Sequence, residues 1–158
     1  MKAKPKKIIR LARKTDLNEW LTMRRALWPD CPPKKHREEM TEILADRKDQ
    51  PAWMAESLSG ELMGFLEVSV RNYADGAGRK DVGYLEGWYV KPKYRKQGVG
   101  RTLVNEAEDW AVSRGFSHVG SDTWVGNRNS YNVHKAMGYR EVGRDVHFVK
   151  KLKTKSKK

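Results

Sequence analysis

A short glycine-containing turn, Arg95-Lys96-Gln97-Gly98-Val99-Gly100, most strongly restricts how this 158-residue chain can fold. It follows an apolar, strand-like run at residues 82–90 and opens an amphipathic helix whose apolar stripe is Val99, Leu103, Ala107, Trp110 and Ala111. A helix N-terminus directs backbone N–H groups and positive dipole charge toward an anion, and glycine lets the backbone approach closely. With cations on both sides, the turn predicts a pyrophosphate site.

Two other classes of phosphate-binding site do not fit this turn. No Gly-Lys-Ser/Thr sequence completes a Walker loop, and the Gly-x-Gly-x-x-Gly spacing of a dinucleotide fold is not met. These differences disfavour nucleotide hydrolysis and hydride transfer. A structural alternative stays open at this point, in which Gly98 and Gly100 only form a tight loop.

The rest of the chain alternates between strand-period and helix-period segments. Strands are predicted at residues 6–12, 52–58, 61–73, 82–90, 118–124 and 141–152. Helices are predicted after the N-cap residues Thr15 and Asp16, at 35–47, from Val99 to near Gly115, and at 129–137. Ser59-Gly60 predicts an antiparallel hairpin between the second and third strands. We expect one α+β domain spanning residues 1–158.

The net charge of +13 lies almost entirely at the two ends. Residues 1–14 hold seven Lys or Arg and residues 150–158 hold six Lys, and neither segment contains an acid. The remainder has 20 basic and 20 acidic side chains, so the body is formally neutral. We therefore expect basic, flexible tails at 1–7 and 153–158 that contact RNA nonspecifically, with no dedicated nucleic-acid site.

Other features narrow the setting. No apolar run approaches the roughly 20 residues that a membrane span needs, so we expect a cytoplasmic protein without a membrane partner. The single cysteine, Cys31, lies among prolines and is assigned no catalytic role. No metal is expected, because metal-ligand spacing is absent from the four histidines His36, His118, His134 and His147.

Two ordered motifs resemble those of the GNAT superfamily of acyltransferases. Residues 95–100 match its signature Arg/Gln-x-x-Gly-x-Gly/Ala, between a strand and a helix. The downstream pattern Asn-x-x-Ala-x-x-x-Tyr-x-x-x-Gly-Phe/Tyr is matched in spacing by Asn127, Ser130, His134, Gly138 and Tyr139. The resemblance implies a central mixed, mostly antiparallel sheet flanked by helices, with acetyl-CoA as acetyl donor and no metal.

A closer resemblance, from Ile8 to Leu152, is to the bacterial aminoglycoside 6′-N-acetyltransferases, which confer resistance. It is carried by residues 17–21, 27–30, 84–90, 121–122 and 127–139. It implies that the aminoglycoside is contacted by Trp28, Tyr73, Glu86, Asp122 and Glu141. It also implies that acetyl-CoA is contacted by Trp88, Tyr89, Val90, Gln97, Gly98, Val99, Gly100, Arg101 and Asn127. The cations Arg95 and Lys96 of the turn are expected to contact its pyrophosphate.

The chemistry of the implied acceptor residues suits such a substrate. An aminoglycoside carries several ammonium groups on hydroxyl-rich rings, so its receptor needs carboxylates and flat aromatic faces. Glu86 is the most informative of them, because it interrupts an otherwise apolar strand where an unpaired charge would be costly to bury. We expect Glu86 to face a polar cleft. Taken singly, Trp28 would fit a core position, and Glu86 and Asp122 would fit solvated acids.

N-acetyl transfer requires a neutral amine, a stabilised oxyanion and a departing thiolate. We predict that Asp122, directly or through water, is the base that accepts the ammonium proton and that Glu86 holds the acceptor. The two carboxylates can also have the opposite roles. A backbone N–H of residues 88–90 is expected to meet the oxyanion. His134 occupies a position where many superfamily members have tyrosine. It predicts either a proton donor to the thiolate or a helix histidine bonded to a backbone carbonyl.

Two alternatives to this function stay open from the sequence. The first is an acetyltransferase of the same fold that acts on a polyamine or a protein amine, since only the acceptor pocket distinguishes these substrates. The second is a basic-tailed protein that binds nucleic acid or the ribosome, against which the neutral body argues. Related enzymes also imply a homodimer with the last strand and Glu141 near the partner.

Overall fold

The computed structural model describes residues 6–153. Within this range the chain forms two compact units, divided between Thr123 and Trp124. Parts of both predicted basic tails, residues 1–5 and 154–158, lie outside the described residues. The expectation of a single domain over the whole chain stays a prediction.

The first unit is built on one five-stranded sheet. Its strands, in chain order, are β1 (Lys7–Leu11), β2 (Ala52–Ser57), β3 (Leu62–Arg71), β4 (Val82–Val90) and β5 (Val119–Ser121). They lie in the same order in space, and the first three pairings are antiparallel while β4 and β5 are parallel. This confirms the predicted mixed, mostly antiparallel sheet. The predicted fifth strand is shorter than expected.

Three α-helices accompany this sheet within residues 6–123. They are α1 (Leu17–Leu27), α2 (Pro33–Ala45) and α3 (Val99–Ser113). α1 ends one residue before Trp28 and two before Pro29, whose missing N–H and ring are incompatible with further helix. The core contains fully buried Trp20, Met23, Met40 and Phe65, from α1, α2 and β3. The first unit therefore has the α+β arrangement predicted from the sequence.

A β-bulge interrupts the pairing of β3 with β4. Glu67 pairs with Gly87 and the next residue, Val68, pairs with Leu85, so Glu86 has no opposite residue on β3. A bulge leaves its extra residue outside the ladder and redirects its side chain. On the other side, β5 pairs with β4 only from Gly83 to Leu85. Residues 86–90 thus lie beyond the last β5 pairing.

In its described residues, 124–153, the second unit contains one helix, α4 (Arg128–Ala136), close to the predicted span. The Asn127 side chain caps it by accepting a hydrogen bond from the Ser130 N–H at 3.1 Å. The predicted strand at 141–152 is wrong in this structure, because residues 139–153 contain no strand. Alternating apolar side chains favour a strand, but a strand forms only when a neighbouring strand satisfies its backbone groups.

Candidate active site

The predicted phosphate turn has the backbone conformation that an anion site needs. Gly98 is the N-cap of α3 at φ +80°, and Lys96 also adopts a positive φ of +59°. Such left-handed residues aim neighbouring N–H groups into one concavity, and the first turn of a helix adds amides without intrahelical acceptors. The Thr102 hydroxyl donates to the Gly98 carbonyl at 2.9 Å and holds this conformation.

The turn is packed directly on β4. A β-carbon added at Gly100 would lie 2.9 Å from Cζ2 of Trp88, so glycine is needed for this close approach. The Arg95 guanidinium donates to the Val90 carbonyl at 2.8 Å and joins the turn to the end of the strand. The structure therefore brings the predicted cofactor residues of β4 and of the turn together.

A cleft of about 700 Å³ lies where α1, α2 and the centres of β3 and β4 meet. Trp28 supplies an aromatic wall, and Glu86 reaches the cleft from the bulge. Its other acidic lining residues are Asp30, Glu39, Glu42 and Glu67. An acidic cleft with an aromatic wall favours cationic ligands that carry flat surfaces.

Trp28 is held in this wall by close contacts. Its ring covers Gly87, where an added β-carbon would lie 2.3 Å from the ring atom Cη2. The buried imidazole of His36 stacks on it with ring centroids 6.4 Å apart, and the Arg24 guanidinium carbon lies 4.9 Å from its ring centroid. The orientation of Trp28 is therefore determined by packing on three sides.

Glu67 is the most deeply buried of the carboxyl groups that line this cleft. Its side chain is only 5% exposed, and it accepts a hydrogen bond from Trp20 Nε1 at 2.8 Å. Arg24 Nε lies 3.4 Å from the same carboxylate. Burial raises the pKa of Glu67 to about 7, because desolvation outweighs the opposing influence of Arg24 and Trp20.

Glu86 and Asp122 are connected through two intervening side chains. Arg71 forms a two-pronged ion pair with Glu86, with Nε–Oε1 at 2.8 Å and Nη2–Oε2 at 2.7 Å. The same guanidinium lies 3.6 Å from the centroid of the Tyr84 ring. The Tyr84 hydroxyl donates to Asp122 Oδ2 at 2.7 Å. The structure thus links both predicted catalytic carboxylates of the first unit.

The chain matches the Acetyltransferase (GNAT) family over residues 20–139. It belongs to this family. It is 42% identical over 147 residues to an aminoglycoside N(6′)-acetyltransferase type 1 of Klebsiella aerogenes, which covers 92% of this chain and 97% of the relative. A relative of the same name from Serratia marcescens is 39% identical over 138 residues, with 87% and 94% covered.

Solved structures of acetyltransferases have the same fold. AAC(6′)-Iy in complex with the bisubstrate analogue CoA-S-monomethyl-acetylneamine matches with a TM-score of 0.85 and 32% identity, covering 93% of this chain and 99% of that one. AAC(6′)-Ih from Acinetobacter baumannii matches with a TM-score of 0.84 and 29% identity over the same shares. The predicted GNAT fold is therefore confirmed.

Tyr73 and the site residues of the second unit have local contacts of their own. The Tyr73 hydroxyl donates to Asp75 at 2.5 Å. His134 Nδ1 lies 2.7 Å from the Ser130 carbonyl oxygen, the contact that the alternative interpretation of this histidine requires. Glu141 accepts a hydrogen bond from the Tyr131 hydroxyl at 2.9 Å and pairs with Arg144. Salt bridging by Arg144 lowers the pKa of Glu141.

Sequence reasoning missed three residues of this candidate site: Glu67, Arg71 and Tyr84. Glu67 had a usable signal, because it interrupts an apolar strand just as Glu86 does. Arg71 and Tyr84 had none, since their roles depend on contacts across strands.

Among residues 6–153, no group of three or more His, Cys, Asp or Glu is placed to hold a metal ion, and no helix could cross a membrane.

Proposed function

We propose that this acetyltransferase moves the acetyl group of acetyl-CoA to the 6′-amino group of aminoglycosides and thereby confers resistance. The observation that carries the proposal is the acidic cleft walled by Trp28 at the β4 bulge. Aromatic faces accept sugar rings, and carboxylates accept ammonium groups. The names of relatives 42% and 39% identical support the same substrate class.

The donor would be bound by the turn at the start of α3. Its cations, Arg95, Lys96 and Arg101, and the amides around Gly98 and Gly100 suit a pyrophosphate. Residues 88–90 of β4 would receive the pantetheine and acetyl end, because β5 does not pair with them. Asn127 would add a contact, as the resemblance implies.

The acceptor would be held by the residues that the resemblance names: Trp28, Tyr73, Glu86, Asp122 and Glu141. Asp122 takes the proton from the 6′-ammonium, directly or through water, and leaves a neutral amine. The amine nitrogen attacks the thioester carbon, and a backbone N–H of residues 88–90 stabilises the oxyanion. The carbon–sulfur bond then breaks and the nitrogen releases its second proton to solvent, which gives the neutral amide. The coenzyme A thiolate takes a proton from His134 or from water.

The proposal is tested with acetyl-CoA and a panel of acceptors, with thiol release as the readout. Release with kanamycin, and none with 6′-N-acetylkanamycin, is the expected result, because the two differ only at the amine that reacts. Spermidine and a histone peptide represent the alternative acceptors. Release with either of them but with no aminoglycoside carrying a free 6′-amine would overturn the proposed substrate class.

Gly87 offers a test of the Trp28 wall. Replacing Gly87 by Ala would place a methyl group 2.3 Å from Cη2 of Trp28. Overpacking of this kind costs about 1–3 kcal/mol, so we expect the KM for kanamycin to rise about tenfold. Steady-state kinetics against both substrates checks it, and the KM for acetyl-CoA should stay the same.

The matched control for this substitution is Gly83→Ala. Gly83 lies on the same strand but faces Trp110, whose Cζ3 would be 3.0 Å from the added β-carbon. It should leave the KM for kanamycin unaltered. An equal rise in both variants would mean that general distortion of β4, and not the position of Trp28, causes the effect.

The assembly and the setting of the protein are proposed on other grounds. The apolar side chains of Val142, Val146 and Phe148 are exposed, the last at 92%, in a segment without strand pairing. We propose that a second copy of the chain covers this segment in a homodimer. Light scattering should give the mass of two chains, and a single-chain mass would refute it. A cytoplasmic location and nonspecific RNA contact by the tails stay predictions.

A further inference from the structure

Arg71 holds the carboxylate that the proposed acceptor site needs. Its two ion-pair contacts with Glu86, at 2.8 and 2.7 Å, occupy both carboxylate oxygens. The Ser69 hydroxyl donates to one of the same oxygens. Both oxygens of Glu86 therefore already have partners before any cationic ligand arrives.

The same guanidinium is also connected, through Tyr84, to Asp122, the other predicted catalytic carboxylate of the first unit. Its central carbon lies over the Tyr84 ring, 3.6 Å from the ring centroid, and the Tyr84 hydroxyl donates to Asp122. A cation on the face of an aromatic ring is attracted by its quadrupole. Arg71 thus occupies the position between Glu86 and Tyr84–Asp122 with charge of the same sign as an incoming ammonium group.

The Arg71–Glu86 ion pair is exposed enough for another cation to replace Arg71, whereas the Arg24–Glu67 ion pair is buried. The Arg71 and Glu86 side chains are 42% and 32% exposed, whereas those of Arg24 and Glu67 are 3% and 5% exposed. Exposed ion pairs stabilise a structure by at most about a fivefold factor, because water solvates both partners when they separate. A cationic ligand can therefore displace the Arg71 side chain without unfolding its surroundings.

We propose that Arg71 is a resident counter-ion that Glu86 must exchange for the ammonium group of the acceptor, so that Arg71 sets a threshold for cation binding. This inference rests on the proposed function. A flexible polyamine has only its positive charge to offset the loss of the Arg71–Glu86 ion pair. An aminoglycoside also gains contact between a sugar ring and Trp28, which lines the same cleft. Arg71 thereby favours ring-bearing polycations over polyamines at a given concentration.

The test compares the wild type with Arg71→Gln, Arg71→Lys and Arg47→Gln. Glutamine removes the positive charge and the two-pronged contact with Glu86, whereas lysine keeps a positive charge beside Glu86. Arg47 is a matched control, because it is exposed and lines a different groove beside Trp53 and Glu106. Removing the Arg71 charge should strengthen cation binding about two- to fivefold at low salt. Arg47→Gln should resemble the wild type, and Arg71→Lys should return most of the way to it.

Two measurements keep this inference separate from the proposed function. Calorimetric titration with spermidine needs no acetyl transfer, and its Kd should fall in Arg71→Gln alone. In steady-state kinetics the KM for kanamycin should fall in the same variant, while the KM for acetyl-CoA should not. A spermidine Kd that is equal or weaker in Arg71→Gln would overturn the counter-ion role, whether or not the wild type acetylates kanamycin. Equal tightening in Arg47→Gln would overturn it as well.

Discussion

Replacing Asp122 by Asn is expected to lower kcat/KM for kanamycin about 100- to 1,000-fold. A positioned general base contributes in this range, and an amide oxygen cannot take the proton of an ammonium group at neutral pH. Asparagine keeps an acceptor for the Tyr84 hydroxyl, which lies 2.7 Å from Asp122 Oδ2, so the local structure should persist. Steady-state kinetics with both substrates measures the effect, and the KM for acetyl-CoA should not change.

Tyr84→Phe is the companion variant to Asp122→Asn. It removes the hydroxyl that orients Asp122 but keeps the aromatic ring under Arg71. Loss of one hydrogen bond should lower kcat/KM by about tenfold or less. If Asp122→Asn turned over at the rate of the wild type, the base would have to be the other carboxylate. Glu86→Gln, measured in parallel, would then show the large loss.

The buried carboxyl group of Glu67 is expected to make the fold less stable as pH rises from about 4.5 to 7. Its pKa is raised from 4.5 to about 7 by burial, so in this window the folded chain keeps a proton that the unfolded chain has released. Stability that depends on a proton held only by the folded state is lost as pH rises through that range. A shift of this size corresponds to about 3 kcal/mol.

The measurement is urea unfolding of the wild type and of Glu67→Gln between pH 4 and pH 8. Glutamine is neutral throughout and keeps an oxygen for the Trp20 N–H. The unfolding free energy of the wild type should therefore fall relative to that of the variant as pH rises. Glu61→Gln is the control, because Lys93 and Tyr94 lower the pKa of the half-buried Glu61 to about 2. The difference in unfolding free energy between Glu61→Gln and the wild type should shrink only below about pH 4.5. A pH-independent difference for Glu67→Gln would contradict the prediction.

Local features of the chain were readable without a structure. The turn before α3, the β2–β3 hairpin at Gly60 and the end of α1 before Pro29 all follow from backbone preferences of nearby residues. The same holds for the Asn127 cap of α4. Such preferences act over a few residues, so a linear pattern contains them.

The sequence by itself determined the order of strands and helices as far as α4 and the left-handed glycine turn before α3, because both depend on side-chain periodicity and glycine placement within single segments. Tertiary structure alone decided the bulge that turns Glu86 out of the ladder, the burial of Glu67, and the path from Glu86 through Arg71 and Tyr84 to Asp122. These depend on which residues of different strands become neighbours. The wrong strand at 141–152 has the same cause, since an alternating pattern marks a strand but pairing requires a neighbour that the pattern does not name.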